Sequence, residues 1–152
     1  MRAAICVVFL LSFGGVAAAQ EPSSQPEPVF ETGELMLLVI KPAYDELKSA
    51  IASPPADRQQ WASLYQKAAR LAEFENLILF RPHERSTTAE WKTLATNARK
   101  ASMAVASAAL KVLGNASAAN VDEVKKAYGD VSVRCNACHR AMSREAPRIT
   151  PD

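Results

Sequence analysis

The chain has 152 residues, with 18 lysines and arginines against 16 aspartates and glutamates, a formal net charge of +2. This near balance, with no basic block and no aromatic-and-basic strand pattern, gives no indication of nucleic-acid binding. A chain of this length fits one domain and can bury about two-thirds of its unfolded surface. The composition therefore favours a single globular domain with an ordinary hydrophobic core.

The first twenty residues, MRAAICVVFLLSFGGVAAAQ, differ from the rest. Arg2 precedes an apolar run, two glycines break that run, and three alanines lead to Gln20. This layout is typical of a secretory signal peptide cut before Gln20. The apolar run is shorter than the roughly 20 residues that span a bilayer. We therefore expect residues 1–19 to be removed on export, with no stable membrane anchor after cleavage.

Residues 20–30, QEPSSQPEPVF, contain little to bury and indicate a flexible leader. The domain is expected over 31–146, with a tail at 147–152. A first helix is predicted by apolar residues at steps of three and four, namely Met36, Val39, Ile40, Ala43, Leu47 and Ile51. Pro42 lies inside this pattern, so the helix should kink there or divide into two short helices.

The second helix is expected to start near Ser53, Pro54 and Pro55 and to end at Pro82. Its apolar residues are Trp61, Leu64, Ala68, Leu71 and Ile78. A capping-box pattern of Thr87 with Glu90 opens the third helix, and Gly114 with Asn115 ends it. The third apolar stripe is rich in alanine and comprises Trp91, Leu94, Ala98, Ala101, Val105, Ala108 and Val112.

A fourth helix is predicted to open at Asn120 with Glu123 and to stop before Pro147. Its stripe is Val121, Val124, Tyr128, Val131, Cys135 and Cys138. Four amphipathic helices with short connections and no convincing strand pattern predict an all-α, antiparallel four-helix bundle.

The stretch VRCNACHRAM carries the chemistry of the chain, because Cys135, Cys138 and His139 share one helical face. A redox-active disulfide would use the same C-x-x-C pair, but it belongs at a helix start within a βαβ unit. A structural zinc site needs four protein ligands, and only His83 could add another histidine. Covalent attachment of c-type haem uses C-x-x-C-H, with two thioether bonds and one histidine ligand, and export fits this third chemistry best.

The motif CNACH on the last helix of a four-helix bundle, behind a signal peptide, resembles the class II cytochromes c, the cytochrome c prime family. The resemblance covers about residues 30 to 146. It implies one covalent haem c packed between the helices, a periplasmic location, redox partner proteins there, and a possible homodimer. Many members carry an aromatic residue and then an arginine at the third and fourth positions after the histidine. Here these positions are Met142 and Ser143, and Arg144 follows.

The resemblance also implies that a residue of the first helix faces the iron opposite His139. Methionine there gives low-spin electron carriers, whereas an apolar residue gives five-coordinate members that bind small gases. Met36 lies on the inner stripe and is the expected distal ligand. Leu35 and Leu37 flank it, so a shift of one position would put leucine over the iron. Met103 and Met142 are interpreted as packing residues, and His83 as a solvated loop residue.

These patterns together predict an exported monohaem cytochrome that carries single electrons and is not an enzyme. Cys135 and Cys138 would hold the haem, His139 would be the proximal ligand and Met36 the distal one. Tyr128, seven residues before Cys135, is an expected haem neighbour. Two alternatives stay open: a five-coordinate protein that binds nitric oxide or carbon monoxide, and a haem-free helical interaction module.

Overall fold

The computed structural model describes residues 27–81, 88–143 and 145–151. Within these residues the chain is helical and contains no β-strand. The helices are α1 at Thr32–Leu35, a π-helical turn at Met36–Ile40, α2 at Lys41–Ala52, α3 at Arg58–Asn76 with a 3₁₀ turn at Leu77–Phe80, α4 at Ala89–Gly114, and α5 at Ala118–Met142. Because α1, the π turn and α2 form one continuous rod, the described chain has four helical rods, which confirms the predicted all-α class.

Several predicted features lie outside the described residues: the signal peptide at 1–19, most of the leader, His83, Thr87 and Arg144. Among the described residues, no helix combines the length and apolar character needed to cross a bilayer.

The π turn explains how the first rod accommodates Pro42. Proline has no N–H, and its ring would clash with the carbonyl four residues earlier in an α-helix. Just before it, the N–H of Lys41 donates to the carbonyl of Met36, five residues back. This wider turn lets Pro42 sit in the first turn of α2, where a missing N–H costs little. The rod is therefore neither broken nor divided into two separate helices.

Three helices start where a polar side chain caps them. Asp57, Thr88 and Ser117 each have extended backbone and accept a hydrogen bond from the N–H three residues on. The starts predicted at Ser53–Pro55 and at Asn120 were wrong by a few residues, because Asp57 and Ser117 hold the capping positions. Asn120 instead supplies the N–H that Ser117 accepts, at 3.2 Å. Gly114 and Asn115 do end α4, as expected.

Contacts between helices fix their directions. Arg58 donates to the carbonyl of Leu113 at 2.8 Å, and Arg99 donates to Asn76 at 2.9 Å, so α3 and α4 are antiparallel. The short connection at residues 115–117 reverses the chain again, which makes α5 antiparallel to α4 and parallel to α3. An ion pair between Arg70 and Glu46 joins α3 to the first rod.

The core lies between the first rod and helices α3, α4 and α5, and it contains many small residues. Ala68, Ala106 and Ala109 are 0% exposed, together with Leu47, Leu71, Val105 and Val131. Alanines at the contacts let the helix axes approach closely, because they fill little of the space between them. Most predicted stripe residues are buried, and Leu35 is more deeply buried than Met36. The stripe residues that are only partly buried are Met36, Val39, Ile51, Leu94, Val121 and Cys135.

Enlarging one of these alanines should therefore disrupt the packing. We expect Ala109→Leu to lower the free energy of unfolding by about 1–3 kcal/mol, because a close-packed interior must shift to admit the extra methyl groups. The neighbouring Leu110 is 54% exposed, and Leu110→Ala should change stability by less than about 0.5 kcal/mol. Urea unfolding of both variants tests this, and equal effects of the two would contradict the packing described.

Candidate functional site

The last two turns of α5 carry the reactive side chains. Cys135 and Cys138 are free thiols; Cys138 is buried and Cys135 is half-buried. His139 is also half-buried and follows Cys138 directly. Since side chains three and four residues apart share a helix face, the structure brings the two sulfurs and the imidazole together at one end of the bundle.

The ring of His139 is held in one tautomer. Its Nδ1 lies 2.9 Å from the carbonyl oxygen of Pro147. A carbonyl only accepts hydrogen bonds, so Nδ1 must carry the proton and donate it. The lone pair of the neutral ring then resides on Nε2. This is the usual arrangement of a metal-binding histidine, in which a backbone carbonyl orients the ring through its second nitrogen.

The carbonyl of Pro147 is in place because the chain reverses after α5. The N–H of Ala146 donates to the carbonyl of Ser143, forming a turn. Residues 147–151, which the sequence suggested as a tail, then run back along α5. We call this segment the strap. The side-chain amide of Asn136 donates to the carbonyl of Ile149 at 2.7 Å and accepts from its N–H at 2.9 Å.

A buried carboxyl stands on the other side of the thiols. Glu75 of α3 is 1% exposed, and the thiol of Cys135 donates to its Oε1 at 3.9 Å. Its Oε2 finds no hydrogen-bond partner among the described residues. The hydroxyl of Ser102 from α4 is close enough to favour the carboxylate, although its geometry falls short of a hydrogen bond.

Burial determines the protonation of this cluster. It raises the pKa of Glu75 to about 7, although Ser102 and Cys135 act to lower it. Burial also raises the pKa of Cys135, and the nearby Glu75 and Cys138 raise it further. The pKa of Cys138 is raised by burial alone. Both sulfurs are therefore protonated thiols at neutral pH, less reactive than exposed cysteines.

The first rod brings Met36 to the level of this cluster. The rings of Tyr44 and Tyr128 stack with centroids 6.0 Å apart and mark one level shared by α2 and α5. Met36 lies eight residues before Tyr44, about 12 Å along the rod, and Cys135 lies seven residues after Tyr128, about 10 Å along α5. Because these helices are antiparallel, both displacements point to the same end of the bundle.

The orientation of the first rod distinguishes Met36 from its neighbours. Leu35 is 1% exposed, Met36 is partly buried against the core, and Leu37 is 63% exposed. Met36 and Leu35 are thus both available at the inner surface, whereas Leu37 faces solvent. The sequence pattern did not show whether Leu35 or Met36 is the more deeply buried, because the π turn changes the helical step on which that pattern relies.

The remaining candidate residues fall into packing positions. Met103 on α4 is 43% exposed, and Met142 packs partly buried against the core. Tyr128 is buried, and its hydroxyl lies 3.1 Å from that of Tyr44. His83 lies outside the described residues.

A cavity of about 390 Å³ opens at the same end of the bundle as His139. The residues that line it are Pro28, Val29, Phe30, Glu31, Thr32, Glu34 and Arg81. Arg81 is buried and donates to the carbonyl of Phe30 at 2.5 Å, which ties the leader to the end of α3. The thiols do not line this cavity, so it is separate from the Cys135–Glu75 contact.

The donor set indicates the kind of group that the site could hold. Among the described residues, no three histidine, cysteine, aspartate or glutamate side chains converge on one point that could hold a bare metal ion. Two thiols and one imidazole with Nε2 available instead fit a group that forms two carbon–sulfur bonds and takes one nitrogen ligand. The free thiols at this spacing meet that requirement.

Sequence reasoning missed two parts of the site. Glu75 falls four residues after Leu71, on the buried stripe of α3, so its position on that stripe was a usable signal. The strap gave no such signal, because its contacts with Asn136 and His139 join residues 13 and 8 positions apart through side chains. The periodicity of apolar residues in the sequence cannot predict such contacts.

The raised pKa of Glu75 makes stability depend on pH. The folded protein holds this proton up to about pH 7, whereas the ordinary value is 4.5. The stability linked to this group is present below pH 4.5 and is lost as the pH rises to 7, by about 3 kcal/mol. Glu75→Gln keeps a neutral acceptor and should remove this slope, so that the variant is the more stable protein at pH 8.

Urea unfolding of the haem-free polypeptide with reduced thiols, from pH 4 to pH 8, measures this slope. Glu73→Gln, on the exposed side of the same helix, is the matched control and should leave the slope unchanged. A wild-type protein whose stability does not fall between pH 4.5 and 7 would show that Glu75 is ionised without penalty.

In comparisons with known proteins, no family model, no curated protein and no solved structure matches the chain.

Proposed function

We propose that this chain is an exported c-type cytochrome of the class II type, which carries single electrons through one covalently bound haem. The observation that supports this most directly is the His139 ring, whose Nδ1–H is committed to Pro147 while two free thiols occupy the same helix end. When bound, the haem iron supplies the one-electron redox chemistry. The residues of the chain hold the haem and set the position of its ligands.

Cys135 and Cys138 would hold the group permanently. Each thiol would be joined to one vinyl substituent by a thioether bond, and its S–H hydrogen would go to the other vinyl carbon. Both thiols are protonated at neutral pH, so each brings its own hydrogen. After the bond forms, Cys135 no longer has an S–H to donate to Glu75. Without this donor, the buried surroundings of Glu75 would favour its neutral form more strongly.

His139 would bind the iron through Nε2. The hydrogen bond from Nδ1–H to Pro147 keeps the ring from rotating and increases the electron-donating strength of Nε2. The protein therefore offers a preset ligand on a rigid helix, which suits electron transfer because little has to move when the iron changes charge.

Met36 is the proposed distal ligand. It is partly buried, it packs against the core and it reaches the level of the thiols from the opposite rod. Methionine opposite histidine raises the reduction potential, as electron carriers require. The deep burial of Leu35 supports the second candidate function, a five-coordinate protein whose apolar distal side admits nitric oxide or carbon monoxide.

A signal peptide at residues 1–19 would deliver the chain to the periplasm, where the haem is attached and where its redox partner proteins are found. We infer that redox partner proteins would dock near the end of α5, where Cys135, Cys138 and His139 would hold the haem. A homodimer is compatible with this arrangement.

Covalent haem is the first expected result. Protein produced in a host that matures c-type cytochromes should be heavier than its polypeptide by one haem, and should keep haem peroxidase stain on a denaturing gel. Cys135→Ala/Cys138→Ala should lose both signals, because no thiol is left to form the bonds. If the wild-type mass equals that of the bare polypeptide, the cytochrome proposal fails and a haem-free interaction module takes its place.

The distal ligand is tested by spectra of the ferric protein. With Met36 bound, the protein should be low-spin and show a sulfur–iron charge-transfer band, and Met36→Leu should abolish that band and produce a high-spin form that binds carbon monoxide when reduced. Met103→Leu is the matched control, since Met103 is largely exposed on α4. A high-spin wild-type spectrum that Met36→Leu leaves unaltered would favour the gas-binding function with Leu35 over the iron.

A further inference from the structure

We propose that Asn136, which lies between the two cysteines, is a positioning residue that sets the tautomer and ligand strength of His139 by holding the strap at residues 147–151 in place. The part that concerns iron rests on the proposed function, whereas the part that concerns the imidazole does not. Asn136 does not touch the ring. It acts through the backbone that the ring contacts.

The first step is the pairing of Asn136 with Ile149. The amide Nδ2 donates to the carbonyl of Ile149 at 2.7 Å, and the N–H of Ile149 donates back to Oδ1 at 2.9 Å. A side-chain amide presents an N–H donor and a carbonyl acceptor side by side, so it can pair with the N–H and the carbonyl of one residue at the same time. Ile149 also packs, partly buried, against the core.

The second step is the rest of the strap. The hydroxyl of Tyr44 donates to the carbonyl of Thr150 at 2.9 Å, and the hydroxyl of Tyr128 reaches the carbonyl of Pro151 at 3.3 Å. Burial and the neighbouring Tyr128 raise the pKa of Tyr44, so its hydroxyl keeps the proton that it donates. The strap thus runs between α2 and α5 and is bonded to both.

The third step is the effect on His139. Pro147 lies two residues before Ile149, so fixing Ile149 also fixes the carbonyl that accepts from Nδ1 at 2.9 Å. A histidine free in solution favours the tautomer with the proton on Nε2, which is the nitrogen that a metal needs unprotonated. The strap reverses this preference. Without Asn136, the Pro147 carbonyl would leave its position for part of the time and the ring would return to the mixed population.

This role differs from a general contribution to stability. A merely structural Asn136 would lower the temperature of unfolding and leave the ring chemistry as it is. A positioning Asn136 changes which nitrogen carries the proton and, once a haem is bound, how strongly Nε2 donates to iron. A weaker donor stabilises the ferric form less, so the reduction potential should shift in the positive direction.

The test compares the wild-type full chain with Asn136→Ala in two preparations. In the haem-free polypeptide, nitrogen NMR above the titration range of imidazole should show His139 with the proton on Nδ1, and Asn136→Ala should show a mixture of both tautomers. In the haem-loaded protein, Asn136→Ala should shift the reduction potential positively and speed solvent exchange of the Nδ1 proton by about tenfold, the loss expected from one hydrogen bond.

Val133→Ala is the matched control, because Val133 lies one turn earlier on α5 and is 54% exposed. It should change none of the three quantities. If Asn136→Ala does not fold, a second variant that lacks residues 147–152 removes the acceptor itself and should give the same mixture of tautomers. Asn136→Ala or the deletion with an unchanged tautomer, or a loss of thermal stability with no change in the ring, would overturn the inference.

The two hypotheses fail in different ways. A protein that never gains the mass of a haem refutes the cytochrome proposal, while the tautomer measurement still decides the role of Asn136. A haem-loaded protein whose His139 is indifferent to Asn136 and to the strap keeps the cytochrome proposal and refutes the positioning role.

Discussion

The pairing of Asn136 with Ile149 is the interaction on which the functional end of this molecule depends. It holds the chain that follows the last helix back along that helix, through two hydrogen bonds to the N–H and the carbonyl of one residue. The strap then occupies the space between α2 and α5, where Tyr44 and Tyr128 bond to its carbonyls. Hydrogen bonds between tyrosine hydroxyls and the backbone carbonyls of the strap therefore link the first rod to the last helix.

A second constraint is the carboxyl of Glu75, which the core buries beside Cys135. A buried acid without a full set of partners costs about 1–3 kcal/mol, and the protein lowers this cost by keeping the proton on it near neutral pH. Ser102 and the Cys135 thiol offset the cost only in part. A buried carboxyl of this kind does not stabilise a core. Because Glu75 contacts Cys135, the proposed attachment cysteine, we count it as part of the site.

The π turn at Met36–Ile40 links the position of Pro42 to the orientation of the residues at the start of the first rod. Pro42 needs a break in the α-helical hydrogen-bond pattern, and the break is supplied in the turn before it, over Met36–Ile40. The same widening rotates the residues at the start of the rod, so that Leu35 becomes the most buried of them and Met36 lies beside it. The choice between a methionine and a leucine at the inner surface is therefore a consequence of accommodating a proline six residues later.

The sequence alone determined the all-α class, the apolar faces of α3, α4 and α5, and the shared helix face of Cys135, Cys138 and His139. These are properties of residues three or four positions apart, which a helix places side by side whatever surrounds it. Helix starts were less well determined, because neighbouring polar residues such as Thr87 and Thr88 compete for one cap. Only the tertiary structure decided that Glu75 faces Cys135, that Leu35 lies deeper than Met36, and that Pro147 fixes the proton of His139. Each of these depends on where separate segments meet, and the free energy that settles such meetings comes from packing and burial over the whole bundle rather than from local periodicity.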